Sequence, residues 1–266
     1  MARFRIAFIA FIGLCFMFGP VPAQAAPAAK VNVGLRDVIA TVEDQFKPDR
    51  STGLPPLQDV TADFMQVSTL IEKGREMRAD GEMFLKTAAA NSPLMFRFDY
   101  YRPTNQQIVS NGRTMWIYLP ANRQVIQSDV SFIFNPYSNS GRTRGVNFLQ
   151  GLGRISQDFH ITFSSQRQDI DGNYILELEP QRRMDTIAKL FIVVSRDAVL
   201  NRADSGRFPL RQELVFPIRS TTVVDLQGNT TTMEFSNIRA NGSIPSSYFD
   251  FVPPPDAQVV MPPTGR

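Results

Sequence analysis

Three side chains on which much protein chemistry depends are almost missing: the 266 residues hold one cysteine, Cys15, one histidine, His160, and one tryptophan, Trp116. Cys15 lies in an apolar N-terminal run with Leu14 before it, where a lipid-attachment signal wants a small residue, so it reads as a passenger of that run. The rest of the chain carries no thiol, which excludes disulfides and thiolate metal sites. A lone histidine leaves too few soft ligands for zinc. In "DFHITF" the period of two sets His160 with Asp158 and Thr162, opposite Phe159, Ile161 and Phe163. That is a solvent-facing strand position and not a member of a Ser-His-Asp site.

Charge of one sign is also lacking. The chain has 28 Lys and Arg against 25 Asp and Glu, and no concentrated basic stripe that would engage nucleic acid. Arg142, Arg144 and Arg154 are scattered through a loop region, and Arg182-Arg183 reads as a solvated bend. The acids Asp80 and Glu82, like Glu177 and Glu179, fall on one face of their strands, as outward surfaces commonly show, and not as a glycosidase pair. "GLG" at Gly151–Gly153 lacks the third glycine and the preceding strand of a nucleotide loop. These absences argue against an enzyme, a cofactor and a metal site.

Only one long uncharged apolar run exists, Ile6 to Phe18, preceded by Arg3 and Arg5 and followed by Gly19-Pro20 and Ala23-Gln24-Ala25. It is shorter than the roughly 20 residues of a spanning helix. We read residues 1–25 as a secretory signal peptide cleaved after Ala25. Arg3 and Arg5 leave with it, so the mature chain carries 26 basic and 25 acidic side chains, a net charge of about +1. Residues 26–266 show no composition break, which implies one domain, with the Pro-rich segment 47–59 as a loop insertion.

What the chain does have is alternating strands and rings. Leu35, Val38, Ile39, Val42 and Phe46 recur at spacings of three and four and predict an amphipathic helix. Strands are expected at Val60–Leu70, Arg78–Lys86, Phe96–Tyr101, Gln106–Ser110, Thr114–Leu119 and Arg123–Ser128. Further strands follow at Asp158–Ser164, Tyr174–Glu179, Lys189–Ser195, Arg211–Phe216, Thr221–Leu226 and Thr230–Ile238, and a last short one ends at the prolines of "SSYFDFVPPPDAQVV". Asn111-Gly112 and Gln227-Gly228-Asn229 signal hairpins. About a dozen short strands joined by turn residues imply an antiparallel sheet. The segment 131–156 breaks the rhythm with glycine, serine and a few apolar residues, and reads as a mobile apolar cover over the sheet or as an ordinary packed helical turn.

In "FRFDYY" alternation sets Phe96, Phe98 and Tyr100 on one face, and something must cover them: the chain's own helices or an apolar ligand. The candidates for an apolar cavity are Met83, Leu85, Phe96, Phe98, Trp116 and Tyr118. For its cover they are Phe132, Phe134, Phe148, Leu149 and Leu152.

The order of Gly81-Glu82-Met83-Phe84-Leu85-Lys86, Pro93 with "FRFDY", Pro103, "QQIVSNG", Trp116 with Tyr118, and a late "FDFVPP" resembles the outer-membrane lipoprotein carrier family, the LolA proteins. The resemblance runs from Leu35 to Val260 and is densest over Gly81–Gln127. It implies a mainly β fold, an incomplete, unclosed antiparallel β-barrel of about eleven strands with a small helical lid. It further implies a monomeric periplasmic carrier for the acyl chains of lipoproteins, loaded by an inner-membrane ABC-type releasing complex and unloaded by an outer-membrane receptor, with no cofactor. A lipoprotein-sensing module or a glycolipid shuttle on the same scaffold is the alternative. Family members place an arginine that latches the lid before the proline of the early strand pair; here Ser92 precedes Pro93.

Overall fold

The computed structural model describes residues 32–47, 55–87, 94–129, 152–184, 187–205 and 216–261. The expected signal segment, most of the segment 47–59 read as an insertion, Ser92-Pro93 and Phe132, Phe134, Phe148 and Leu149 therefore lie outside the described residues.

Among the described residues, alternating apolar residues build twelve strands. The first six are β1 (Asp59–Leu70), β2 (Arg75–Lys86), β3 (Met95–Arg102), β4 (Gln106–Ser110), β5 (Thr114–Leu119) and β6 (Gln124–Asp129). The rest are β7 (Phe159–Gln168), β8 (Tyr174–Pro180), β9 (Lys189–Val194), β10 (Ile218–Val224), β11 (Thr230–Ala240) and β12 (Gln258–Val260). They form one sheet in the order β12-β6-β5-β4-β3-β2-β1-β11-β10-β9-β8-β7. Every neighbouring pair is antiparallel except β12 beside β6. Among the described residues the edges β12 and β7 do not meet, so the sheet is unclosed, as the resemblance implied.

Register decides which side chains share a face. Reading across six strands, Ala62 faces Met83, Met83 faces Phe98, Phe98 faces Ile108, Ile108 faces Ile117 and Ile117 faces Ile126. The next row towards one end of the sheet runs Val60, Leu85, Phe96, Ser110 and Met115. This face, continued by Leu176, Ile192 and Phe235 from the far half, belongs to a single buried apolar cluster, the inner face of a sheet wrapped around its core. Each large side chain so buried contributes about 1.5–3 kcal/mol.

Among the described residues three helices cover that face: α1 (Leu35–Glu43), α2 (Ile155–Asp158) and α3 (Arg196–Ser205). Val38 and Val42 of α1, Ile155 of α2 and Val199 of α3 are buried in the cluster. The predicted stripe is present, but α1 stops at Glu43 and Phe46 reaches the core from the turn that follows. The sequence did not announce α3, whose few apolar residues make no stripe; it starts where the Ser195 hydroxyl accepts from the Ala198 amide at 3.4 Å. Asn111-Gly112 turns the β4–β5 hairpin, with Gly112 at φ +87° and the Asn111 side chain accepting from the amides of Arg113 and Thr114.

One expectation needs correction, and another lies mostly outside the described residues. Ser246–Phe249 is a 3-10 turn after Pro245, with Phe249 buried, and the last strand lies beyond the prolines. There the Gln258 amide donates to the Arg123 carbonyl at 2.8 Å and sets β12 parallel to β6. Of the strand expected at Arg211–Phe216 only Phe216 is described; it is buried outside any strand, with its ring edge-on to Phe235 at 5.8 Å.

Candidate functional site: the inner face and its open end

Met83, Leu85, Phe96 and Phe98 stand together on the inner face, each at most 1% exposed, because even spacing on β3 and odd spacing on β2 are brought side by side by the register. Leu152, from the predicted cover, is buried in the same cluster at the entry to α2. Phe64 on β1 links them. Its ring meets Phe98 edge-on at 5.7 Å and Tyr100 at 4.9 Å, and Phe98 meets Phe96 at 6.1 Å. Sequence reasoning did not single out Phe64, Ile108, Met115 or Ile117 as cavity residues, although Val60, Ala62 and Phe64 recur with the period of two that could have shown it.

Trp116 and Tyr118 are on the other face. Val109 faces Trp116 and Val125 faces Tyr118, all outside the inner cluster. Their cover is the C-terminal segment: Phe251 lies 6.0 Å from the Trp116 ring and 5.9 Å from Tyr118. Further along, Tyr248 packs on Phe84 at 4.9 Å with the Arg97 guanidinium 4.8 Å over its ring. Buried Asp59 anchors the segment by accepting from the amides of Gly242 at 2.7 Å and Ile244 at 3.2 Å.

The helical cover is tied together by carboxylates at the end of α1. One oxygen of buried Glu43 accepts from the Ser156 amide at 2.8 Å and the Ser156 hydroxyl at 2.6 Å, joining α1 to α2. The other pairs with Lys47 at 2.7 Å. Asp44 pairs with Arg202, joining α1 to α3.

At the end of the sheet carrying the β3–β4 and β5–β6 turns, the inner face opens into a cavity of about 530 Å³. Its walls include Met77, Ala79, Ile117 and Leu119 on the apolar side and Gln66, Ser68, Tyr100, Gln106, Asn122 and Gln124 on the polar side. Tyr100 donates to Gln66 Oε1 at 2.9 Å, and Gln66 donates to Ser68 at 3.2 Å. Burial pushes the Tyr100 phenol above the ordinary tyrosine value, so it is a donor throughout the neutral range.

His160 is exposed, as alternation implied, and opposite Glu179. Glu177 and Glu179 share Lys189, Asp80 holds Arg102, and Glu82 accepts from Tyr101. No group of three or more metal-ligating side chains, and no helix long and apolar enough to cross a membrane, occurs among the described residues.

The family model described as outer membrane lipoprotein carrier protein LolA matches residues 56–204. An outer-membrane lipoprotein carrier protein of Bordetella avium is 28% identical over 77% of this chain and 81% of its own length. That of Bordetella pertussis is 29% identical over 83% and 87%. Its counterpart in Francisella tularensis subsp. novicida is 23% identical over 93% and 95%. A solved LolA superfamily protein of Nitrosomonas europaea, 15% identical, aligns with a TM-score of 0.41 over 83% of this chain and 99% of that one. The chain with the helix-covered apolar sheet described above thus belongs to the LolA family of outer-membrane lipoprotein carrier proteins.

Proposed function

We propose that this chain is a periplasmic carrier that takes up the acyl chains of lipoproteins released from the inner membrane and delivers them to an outer-membrane receptor. The observation that carries the reading is the construction of the inner face. A continuous apolar surface across the sheet is covered by short helices held to one another by a few carboxylate contacts. Such a cover is exchangeable: acyl chains that displace Val38, Val42 and Ile155 replace one apolar neighbour with another. Family membership and the names of the relatives support the same reading.

Magnitudes say how the cargo must move. Burying acyl chains is worth about 0.8 kcal/mol per CH₂ relative to water, so three long chains would sum to roughly 30 kcal/mol or more. That exceeds the ceiling of about 18–21 kcal/mol for non-covalent affinity. The relevant reference is a membrane, where the chains are already out of water, so transfer to the carrier gains little. Loading then needs an energy source, which an ABC-type complex supplies, and release to an acceptor does not.

The test is to add the purified mature chain to spheroplasts of a Gram-negative bacterium. Lipoproteins are expected in the soluble fraction as one-to-one complexes. A folded chain that releases none would count against the carrier reading and favour a sensor or glycolipid shuttle, to be resolved by identifying bound lipids.

A further inference from the structure

We propose that the polar cavity at the open end of the sheet is a subsite for the uncharged ester-and-amide headgroup region of an acylated molecule, and that it discriminates against anionic phospholipids. The inference rests on the carrier reading and deepens it.

The inner face changes character along the strand direction. The rows through Phe96 and Phe98 are almost wholly apolar, whereas the next row brings Tyr100 opposite Gln106, and beyond it β1 presents Gln66 and Ser68. The change is continuous, because Tyr100 packs edge-on against Phe64, which touches the ring ladder of the interior. An amphipathic molecule whose chains lie on that ladder therefore has its headgroup in the cavity. At about 530 Å³ the cavity is in the range of small-ligand sites.

The chemistry of the walls selects the headgroup. The amides of Gln106, Asn122 and Gln124 and the hydroxyl of Ser68 are neutral groups that donate to carbonyl oxygens. The two cations that line the cavity are each paired with a carboxylate: Arg102 with Asp80, and Arg78 with Glu76 at 2.7 Å. With Glu76 and Asp80 beside them these arginines give the cavity no net positive charge to favour a phosphate, and ester and amide carbonyls need none. Selection by charge matters to a carrier in contact with membranes, since phospholipids outnumber any cargo there.

The test compares two probes with the same pair of palmitoyl chains, a neutral dipalmitoylglyceryl-thioether peptide with blocked termini and phosphatidylglycerol, by displacement of an apolar dye. The neutral probe is expected to bind about tenfold more tightly. Gln106→Met, similar in size, is expected to weaken the neutral probe about fivefold relative to the dye. Asp80→Asn, which frees Arg102, is expected to narrow the preference by strengthening phosphatidylglycerol. Equal binding of both probes, or no response to either substitution, would overturn the subsite while leaving the carrier reading intact. Failure of both probes to displace the dye would overturn both.

Discussion

Gly81 faces inward where β2 and β3 slip in register, and a β-carbon on it would stand 1.9 Å from the Asp99 carbonyl oxygen and 3.0 Å from the Phe64 ring. Backbone cannot yield as a flexible side chain does, so Gly81→Ala is expected to cost about 3 kcal/mol, the upper range for an overpacked core. Urea unfolding measures it, and an unchanged midpoint would show that the strands separate more easily than this packing implies. Alternation along β5 told that Met115 and Ile117 oppose Trp116 and Tyr118, but both faces of that strand are apolar. Side-chain size is no guide to sidedness: the largest ring faces outward because Phe251, far along the chain, lies against it.

At the scale of elements, the cover depends on two acids. Glu43→Ala leaves the Ser156 amide and hydroxyl without their acceptor, a cost of about 1–3 kcal/mol. Because α1 and α2 lie over the sheet and do not belong to it, the expected outcome is local opening. Apolar-dye binding should rise while the β-sheet circular dichroism stays, and adding Arg202→Ala should raise it further. Dye binding at the level of the unsubstituted chain would show that apolar contacts alone hold the helices. The family's latch arginine has no counterpart at Ser92, so these contacts are where closure is to be sought. The sequence showed the stripe of α1 but neither Glu43 nor Asp44 as ties, since their partners are more than a hundred residues away.

For the whole molecule, the C-terminal segment is a structural part of the outer face. Ending the chain after Asp250 removes Phe251 and β12, which bares Trp116 and turns β6 into an open edge. Unpaired edges and exposed apolar patches promote association. The truncated chain is expected to self-associate in light scattering, and its single tryptophan is expected to emit at longer wavelength. A monomer with unshifted emission would mean that the segment is dispensable.

By itself the sequence determined the local elements and their class. Period-two alternation and turn chemistry are properties of neighbouring residues, so most of the strands, the Asn111-Gly112 hairpin, the α1 stripe and the grouping of Phe96 with Phe98 were legible in it. Tertiary structure alone decided which face of each strand is inside, where the last strand pairs, that Arg196–Ser205 is a helix, and that the inner face ends in a polar cavity. The physical reason is the same in each case. A side chain's own periodicity fixes which neighbours share its face, whereas its burial is fixed by a partner such as Phe251, Ser156 or Arg123 that only the fold brings near.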